Sequence, residues 1–154
     1  MDYQAFFGRN SEVVARELLG KRLTRTTRTG ELSGTITETA AYEGGDMTDS
    51  RKGMLYSPGT LFLMPFRGYK LLNIATDRTG FPSCVEIRKL LIPGRAVKGP
   101  GTISRFLNLE ELDGIPLGIE ARIDDNSDLQ NFDISELEGK SQNCLGILLL
   151  NYRS

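Results

Sequence analysis

The spacing of apolar residues along the chain predicts two helices and several strands. Apolar side chains at i,i+4 spacing lie between Asn10 or Ser11, either of which can cap a helix, and Gly20, which can end it. A second helix is predicted from Thr102, as its cap, to Leu107, with an extension through 109–112. Alternating or continuously apolar runs predict strands at 21–26, 32–42, 60–66, 70–75, 83–92, 119–123 and 145–152. Turn-forming residues predict loops at 43–59 and 94–101, and the acidic segment between the last two strands is predicted to be irregular.

The longest alternating stretch is 32–42. It assigns five residues to one face, with threonines on the other: Leu32, Ile36, Glu38, Ala40 and Tyr42. This alternation predicts a half-buried strand whose threonine face points outward. Together the elements predict a mixed α/β (α+β) fold: a single domain over 1–154 with a mainly antiparallel sheet and a few helices.

The composition excludes several classes of site. The 154 residues include no histidine and no tryptophan, which excludes an imidazole general base, a Ser-His or Cys-His nucleophile and a histidine-bearing zinc site. Two cysteines, Cys84 and Cys144, are too few for a four-cysteine metal site or a disulfide framework, and both are expected to be reduced core thiols. No metal and no cofactor is expected. The sequence has neither a signal-peptide pattern nor a membrane-spanning apolar run, which predicts an intracellular protein, cytoplasmic or nuclear.

A formal net charge of -1 conceals an uneven distribution. Residues 1–109 include 16 basic and 10 acidic residues, whereas 110–154 include 3 and 10. Two clusters dominate the basic part: Lys21, Arg22, Arg25 and Arg28, and then Arg88, Lys89, Arg95, Lys98 and Arg105. A basic body is compatible with nucleic-acid binding. Pairing of these bases with acids across the fold is the other interpretation, and charge alone favours it.

Three collinear groups of motifs carry a family resemblance. The first comprises Phe6-Phe7, Ala15-Arg16 and 18–20; the second comprises 36–44, Gly53-Met54 and 58–62; the third comprises 68–73, 85–88, Pro93 and 99–101. In this order they resemble the alkyladenine (3-methyladenine) DNA glycosylase family over residues 5–109, whereas 110–154 are acidic and divergent. The resemblance implies a curved antiparallel sheet of the formyltransferase C-terminal-like kind. It also implies a hairpin that enters the DNA minor groove and replaces a flipped, damaged base.

The same resemblance locates a gap in the chemistry. Ala40 falls where the family has the glutamate that deprotonates the attacking water, and the family's pocket histidine has no counterpart in this chain. Glu38, two residues earlier on the predicted strand, is a weak substitute because the strand rise displaces it by about 6–7 Å. The resemblance therefore provides no assured catalytic residue.

The resemblance also implies two sets of binding residues. Tyr42 matches a stacking tyrosine, and Asn73 lies one residue out of register with an asparagine that discriminates purines. The implied base pocket consists of Tyr42, Phe62, Met64 and Asn73. The implied nucleic-acid contacts are Arg67, in place of a tyrosine wedge, together with Arg88, Lys98, Gly99, Gly101 and Thr102.

These observations lead to one preferred hypothesis and two alternatives. The preferred hypothesis is a catalytically inactive relative of the glycosylases, kept as a nucleic-acid-binding or structural component of a ribonucleoprotein such as a ribosome. The first alternative is an active glycosylase that excises alkylated purines in base excision repair, and the second is a protein-interaction module. The expected partner is DNA or RNA, not a membrane, and nothing in the sequence demands more than a monomer.

Overall fold

The computed structural model describes residues 1–125 in full and the strands 133–136, 140–142 and 145–153 as backbone. The helices are α1 (Tyr3–Phe7), α2 (Ser11–Leu18), the 3-10 helix η1 (Asp49–Leu55) and α3 (Pro100–Phe106). The strands are β1 (Arg22–Thr27), β2 (Gly30–Glu43), β3 (Leu61–Phe66), β4 (Tyr69–Ala75), β5 (Ser83–Ile92), β6 (Arg95–Lys98), β7 (Ala121–Asp124), β8 (Asp133–Glu136), β9 (Lys140–Gln142) and β10 (Leu145–Arg153).

The strands form a mainly antiparallel sheet with the order β3-β4-β5-β2-β1-β7. Strand β2 is the centre: one edge pairs with β5, and the other pairs first with β1 and then, at 38–41, with β10. Tight turns join β3 to β4 and β5 to β6, so these pairs are hairpins. The predicted α+β fold with a curved antiparallel sheet is confirmed.

Helix α2 covers the buried side of the central strands. The Asn10 side chain accepts a hydrogen bond from the Glu12 backbone N–H, as the sequence predicts for a helix cap. Val14, Ala15 and Leu18 are fully buried against apolar residues of β2 and β5. This main core leaves the opposite side of β2 and β5 free to form a second, smaller cluster.

The predicted faces of β2 are only partly correct. Thr39 is fully buried and its hydroxyl donates to the Ala15 carbonyl at 2.9 Å, so the threonine face is not an outer face throughout. An irregularity in the β2–β5 ladder lies between Ile36 and Thr39. Core residues therefore follow Ile36 with Thr39 and Ala41, a spacing of three that simple alternation does not anticipate.

Five other local predictions are wrong. The loop at 43–59 includes η1, and the loop at 94–101 includes β6, whose pairing with β5 makes a hairpin. Helix α3 begins at Pro100 with Gly99 as its N-cap, so Thr102 lies inside the helix rather than capping it. Residues 109–112 form turns, not a helical extension. Strands β8 and β9 lie in the acidic segment that is predicted to be irregular.

Two of the four residues of the first basic cluster pair with acids of the chain's last third. Lys21 pairs with Asp125, and the Arg25 guanidinium lies 2.9 Å from a Glu120 carboxylate oxygen. This cluster fits the interpretation of pairing across the fold. Cys84 is buried and free, whereas Cys144 lies outside the described residues. Among the described helices, none is long and apolar enough to cross a membrane.

Candidate base-binding pocket

A cavity of about 480 Å³ opens on the side of the sheet opposite the main core. Its walls come from β2, η1, β3, β4, β5 and the first residue of α3. The lining residues are Tyr42, Arg51, Met54, Phe62, Met64, Phe66, Leu71, Asn73, Cys84, Glu86, Arg88 and Pro100. The volume falls within the range of small-molecule sites, and the lining combines apolar faces with a few converging polar groups.

Aromatic and sulfur side chains form the apolar part of the cavity. Phe62, Met64 and Phe66 project from one face of β3, because alternate residues of a strand share a face. The Phe62 ring packs edge-on against Tyr56 at 6.2 Å between centroids. Tyr56 is fixed by a 2.8 Å hydrogen bond to Asp113, whose other carboxylate oxygen accepts from the Leu63 backbone N–H. The Tyr56 ring and the hydrogen bonds of Asp113 therefore fix the position of Phe62 in the cavity wall.

Asn73 and Glu86 form the polar end of the cavity, in register with Ala40 on β2. Asn73 on β4 pairs with Glu86 on β5, and Glu86 pairs with Ala40 on β2. Opposed residues of an antiparallel pair project from the same face, with Cβ atoms about 4.5–5.5 Å apart. The Glu86 carboxylate therefore lies beside the Ala40 methyl group, one strand away from it.

The environment of Glu86 favours a neutral carboxyl. Glu86 is 5% exposed, and burial raises its pKa to about 7, against the opposing effect of Arg88 at 3.2 Å. A second carboxylate, Glu38, lies 3.3 Å from the same guanidinium. Burial also raises the pKa of the Tyr42 hydroxyl to about 12, helped by the Glu86 charge, and it raises that of the Cys84 thiol. Tyr42 and Cys84 therefore stay neutral at pH 7, and Glu86 is the carboxyl in the cavity that titrates near neutrality.

The β3–β4 hairpin extends past the cavity and ends in an exposed turn. Phe66 and Tyr69 are 50% and 43% exposed at its tip, on either side of Arg67 and Gly68. Arg67 has φ 49°, a left-handed conformation that the following glycine turn accommodates. The Arg67 and Arg105 guanidinium groups lie 5.2 and 4.7 Å from the Phe66 and Tyr69 ring centroids. The tip is thus an aromatic and cationic surface.

Comparison with known proteins shows the family of the chain. The family described as Methylpurine-DNA glycosylase (MPG) matches residues 5–138. The chain belongs to this family. The match continues beyond 109, into the part of the sequence that carries no recognised motif.

Curated relatives agree with the family assignment. A "Putative 3-methyladenine DNA glycosylase" of Wolbachia sp. subsp. Brugia malayi is 39% identical over 117 residues, covering 68% of this chain and 67% of the relative. Proteins of the same name from Ehrlichia chaffeensis and Synechococcus elongatus are 33% and 36% identical, covering 69% and 70% of this chain and 65% and 62% of theirs. The chain thus spans about two thirds or less of the length of these relatives.

All four family-implied pocket residues converge in the structure. Tyr42, Phe62, Met64 and Asn73 all line the cavity. The Asn73 amide is fixed: its nitrogen donates to the Leu71 carbonyl at 3.1 Å, and its oxygen accepts from the Cys84 thiol at 3.5 Å. Their contact with a base stays a prediction.

The two candidate positions for a catalytic carboxylate on β2 do not lie in the cavity. Ala40 is fully buried, and neither it nor Glu38 is among the lining residues. Glu38 is engaged with Arg88, the ion pair expected for a carboxylate on a strand face. Arg88 holds both Glu38 and Glu86 while it lines the cavity, so its role as a phosphate contact stays a prediction.

The remaining predicted contacts lie at the β6–α3 junction. Lys98 is exposed at the end of β6, and Gly99 takes φ 97° between strand and helix. A Cβ on Gly101 would lie 2.7 Å from Tyr69 Cβ, so this glycine lets α3 pack against the β3–β4 hairpin. Contact of Lys98, Gly99, Gly101 or Thr102 with nucleic acid stays a prediction.

Glu86 and Arg51 are cavity residues that the sequence reasoning did not single out. The signal for Glu86 was present, because 83–92 was predicted as a strand and alternation along it joins Cys84, Glu86 and Arg88 on one face. Arg51 reaches the cavity from η1, a helix that lies within the predicted loop at 43–59.

Gly53 is expected to be essential to the cavity wall. A Cβ at this position would lie 2.1 Å from Phe62 Cδ1, so Gly53→Ala must displace either η1 or the Phe62 ring. We expect the free energy of unfolding to fall by about 1–3 kcal/mol, measured by urea denaturation. Phe62→Ala lacks all three clashing ring atoms, so Gly53→Ala should cost less in that background than in the wild type; strict additivity of the two changes would contradict this expectation.

Proposed function

We propose that the chain binds nucleic acid through the β3–β4 hairpin and takes an extruded base into the cavity beneath it. The observation that carries this proposal is the position of an aromatic, cationic hairpin tip beside a cavity of base-binding character. Extrusion of a base requires a side chain that fills the gap in the stack and a pocket with flat faces and edge contacts. Phe66, Arg67 and Tyr69 are suited to the first task, and Tyr42, Phe62 and Asn73 to the second.

The charge around the cavity supports a polyanionic partner. Arg51, Arg67, Arg95, Lys98 and Arg105 surround the hairpin and its neighbours β6 and α3. Among the described residues, the salt bridges involving these five side chains are limited to Arg105 with Glu110, at 3.7 Å. These five side chains thus differ from Lys21 and Arg25 of the first basic cluster, which pair with Asp125 and Glu120. A basic surface of this kind supplies affinity for phosphates that declines with salt.

A fluorescence titration tests the proposal. A DNA duplex with one 2-aminopurine should become brighter when the protein is added, because fluorescence rises as this base leaves the stack. We expect Lys98→Gln and Arg105→Gln each to weaken binding and to reduce the slope of log affinity against log salt by about 1. Arg67→Ala should reduce the brightening more than it reduces binding, because it alters the hairpin tip.

Arg122→Gln is the matched control, since Arg122 lies on β7 and pairs with Glu31 and Asp124. It should leave the titration unchanged. An affinity that does not depend on salt concentration would contradict the proposal. So would a loss of affinity in Arg122→Gln equal to that in Lys98→Gln or Arg105→Gln. An RNA competitor that displaces the duplex at lower concentration would identify RNA as the preferred partner.

The hypothesis of an inactive structural component of a ribonucleoprotein, and the intracellular location that goes with it, stay predictions. Co-sedimentation of the native protein with ribosomes tests the association, and recovery only in the free fraction would exclude it. The inactivity was inferred from Ala40, on the premise that no carboxylate serves the pocket. Glu86 is a carboxyl that lines the cavity, and its presence supports the alternative of an active enzyme.

A further inference from the structure

Glu86 is a buried acid without an assigned task. A buried carboxylate is unfavourable unless it is paired and hydrogen-bonded, and its attraction to Arg88 does not compensate fully for desolvation. Arg88 already has Glu38 as a partner at 3.3 Å, in a more exposed position. An ion pair for Arg88 alone therefore does not require a second carboxylate inside the cavity.

The position of Glu86 matches the missing group. It faces the cavity between Asn73 and the position of Ala40, where the resemblance places the family's carboxylate. A glutamate side chain on β5 can project over the same part of the cavity floor as one on β2, because opposed side chains rise together from one face of the sheet.

We propose that Glu86 is the general base of this pocket, acting from β5 in place of the carboxylate that Ala40 cannot provide. The proposal rests on the proposed function, since it requires a nucleotide extruded into the cavity. The substrate class is a nucleotide with a cationic, N-alkylated purine.

The step is a hydrolysis. The oxygen of a water molecule forms a bond to C1′ of the sugar while the C1′–N bond breaks, and the electron pair of that bond goes to the departing base. The water proton goes to the Glu86 carboxylate. A cationic purine leaves as a neutral molecule, so it needs no acid to protonate it. The negative charge of the Glu86 carboxylate also attracts the cationic base into the cavity before the bond breaks.

The pH dependence follows from the groups around Glu86. Its neighbours are Arg88 and Cys84 on β5, Tyr42 and Glu38 on β2, and Arg51 on η1. Tyr42 and Cys84 have raised pKa values and stay neutral, so the ionisation that governs the rate is that of Glu86, whose pKa is about 7. A general base works as the carboxylate, so release should increase with pH and level off above about pH 8.

Release of purines from methylated duplex DNA by the full chain tests the proposal. Wild-type protein should release N7-methylguanine or N3-methyladenine. Glu86→Gln should lower the rate by about 10²-fold or more, the usual contribution of a general base, and should remove its dependence on pH. Glu86→Asp should retain part of the activity. Glu12→Gln, on the outer side of α2, is the matched control and should keep the wild-type rate.

The 2-aminopurine titration separates the two proposals. A missing signal with wild-type protein would defeat the proposed function, and the present inference with it. Base extrusion without release by wild-type protein, or release unaffected by Glu86→Gln, would overturn the role of Glu86 alone. If Glu38→Gln loses base release while Glu86→Gln keeps it, the general base is Glu38 and not Glu86. If Glu86→Gln fails to fold, the pH profile of the wild type and the Glu86→Asp rate decide the matter.

Discussion

Ala40→Glu will lower the free energy of unfolding at pH 8 by about 3 kcal/mol or more, and by much less at pH 5. Ala40 is fully buried, and its partner across the β2–β5 ladder is Glu86. The new carboxylate would lie opposite an existing one, where like charges repel, and Arg88 already pairs with both Glu86 and Glu38. At pH 5 both carboxyls hold their protons more readily, so the repulsion is smaller.

Urea denaturation of four variants at two pH values isolates this effect. Ala40→Gln has nearly the same volume as Ala40→Glu, so their difference at pH 8 reports charge rather than overpacking. The double variant Ala40→Glu with Glu86→Gln removes the repulsion. We expect a coupling free energy of about 1–3 kcal/mol between the two sites at pH 8 and almost none at pH 5. Equal coupling at both pH values would show that the two carboxyls do not sense each other.

The same variants test how the cavity tolerates alanine at residue 40. If Glu86 performs the task from the neighbouring strand, a glutamate at residue 40 is not an improvement but a second charge in the same place. The double variant, which moves the carboxylate from β5 to β2, should then recover some of the base release that Glu86→Gln loses.

Much of the fold was predictable because its signals are local. The ends of α2 follow from Asn10 and Gly20. Strand β5 has its predicted bounds, because Val85 and Ile87 alternate with polar residues before an apolar run at 90–92. Strand β6 was missed because Arg95 and Lys98 flank only two small apolar residues, and its order depends on pairing with β5. Such pairing is a tertiary effect that propensity does not anticipate.

The site was predictable where one strand or one motif carries it. Tyr42, Phe62, Met64 and Asn73 reach the cavity because alternation along β2, β3 and β4 orients them. The role of Glu86 depends on which residues of β2 and β5 are opposed. The irregular ladder near Glu38 sets that register, and a one-residue slip would turn Glu86 away from the cavity. The alternation pattern of each strand alone therefore does not predict that Ala40 and Glu86 are paired.

Between pH 4.5 and pH 8 the free energy of unfolding of Glu86→Gln will rise by about 3 kcal/mol relative to that of the wild type. The unfolded chain releases the Glu86 proton near pH 4.5, whereas the folded chain keeps it until about pH 7. Between these values the unfolded state binds fewer protons, so the stability of the wild type falls as pH rises and levels off above pH 7. A difference of roughly 2.5 pKa units corresponds to about 3 kcal/mol at 1.36 kcal/mol per unit. Glutamine has no proton to release, so the variant does not share this decline.

The absence of histidine makes the measurement unusually direct. The chain has no imidazole that titrates between pH 5 and 7. The fall in wild-type stability in that pH range is therefore due mainly to carboxyls with a raised pKa, such as Glu86. For a domain of this length, 3 kcal/mol corresponds to about 6 °C or more in the midpoint of thermal unfolding. Parallel curves for wild type and variant from pH 4.5 to 8 would mean that Glu86 is ionised normally in the folded protein. In that case the carboxylate would be a weaker base at neutral pH than the pocket geometry implies, and the rate of base release would level off below pH 6.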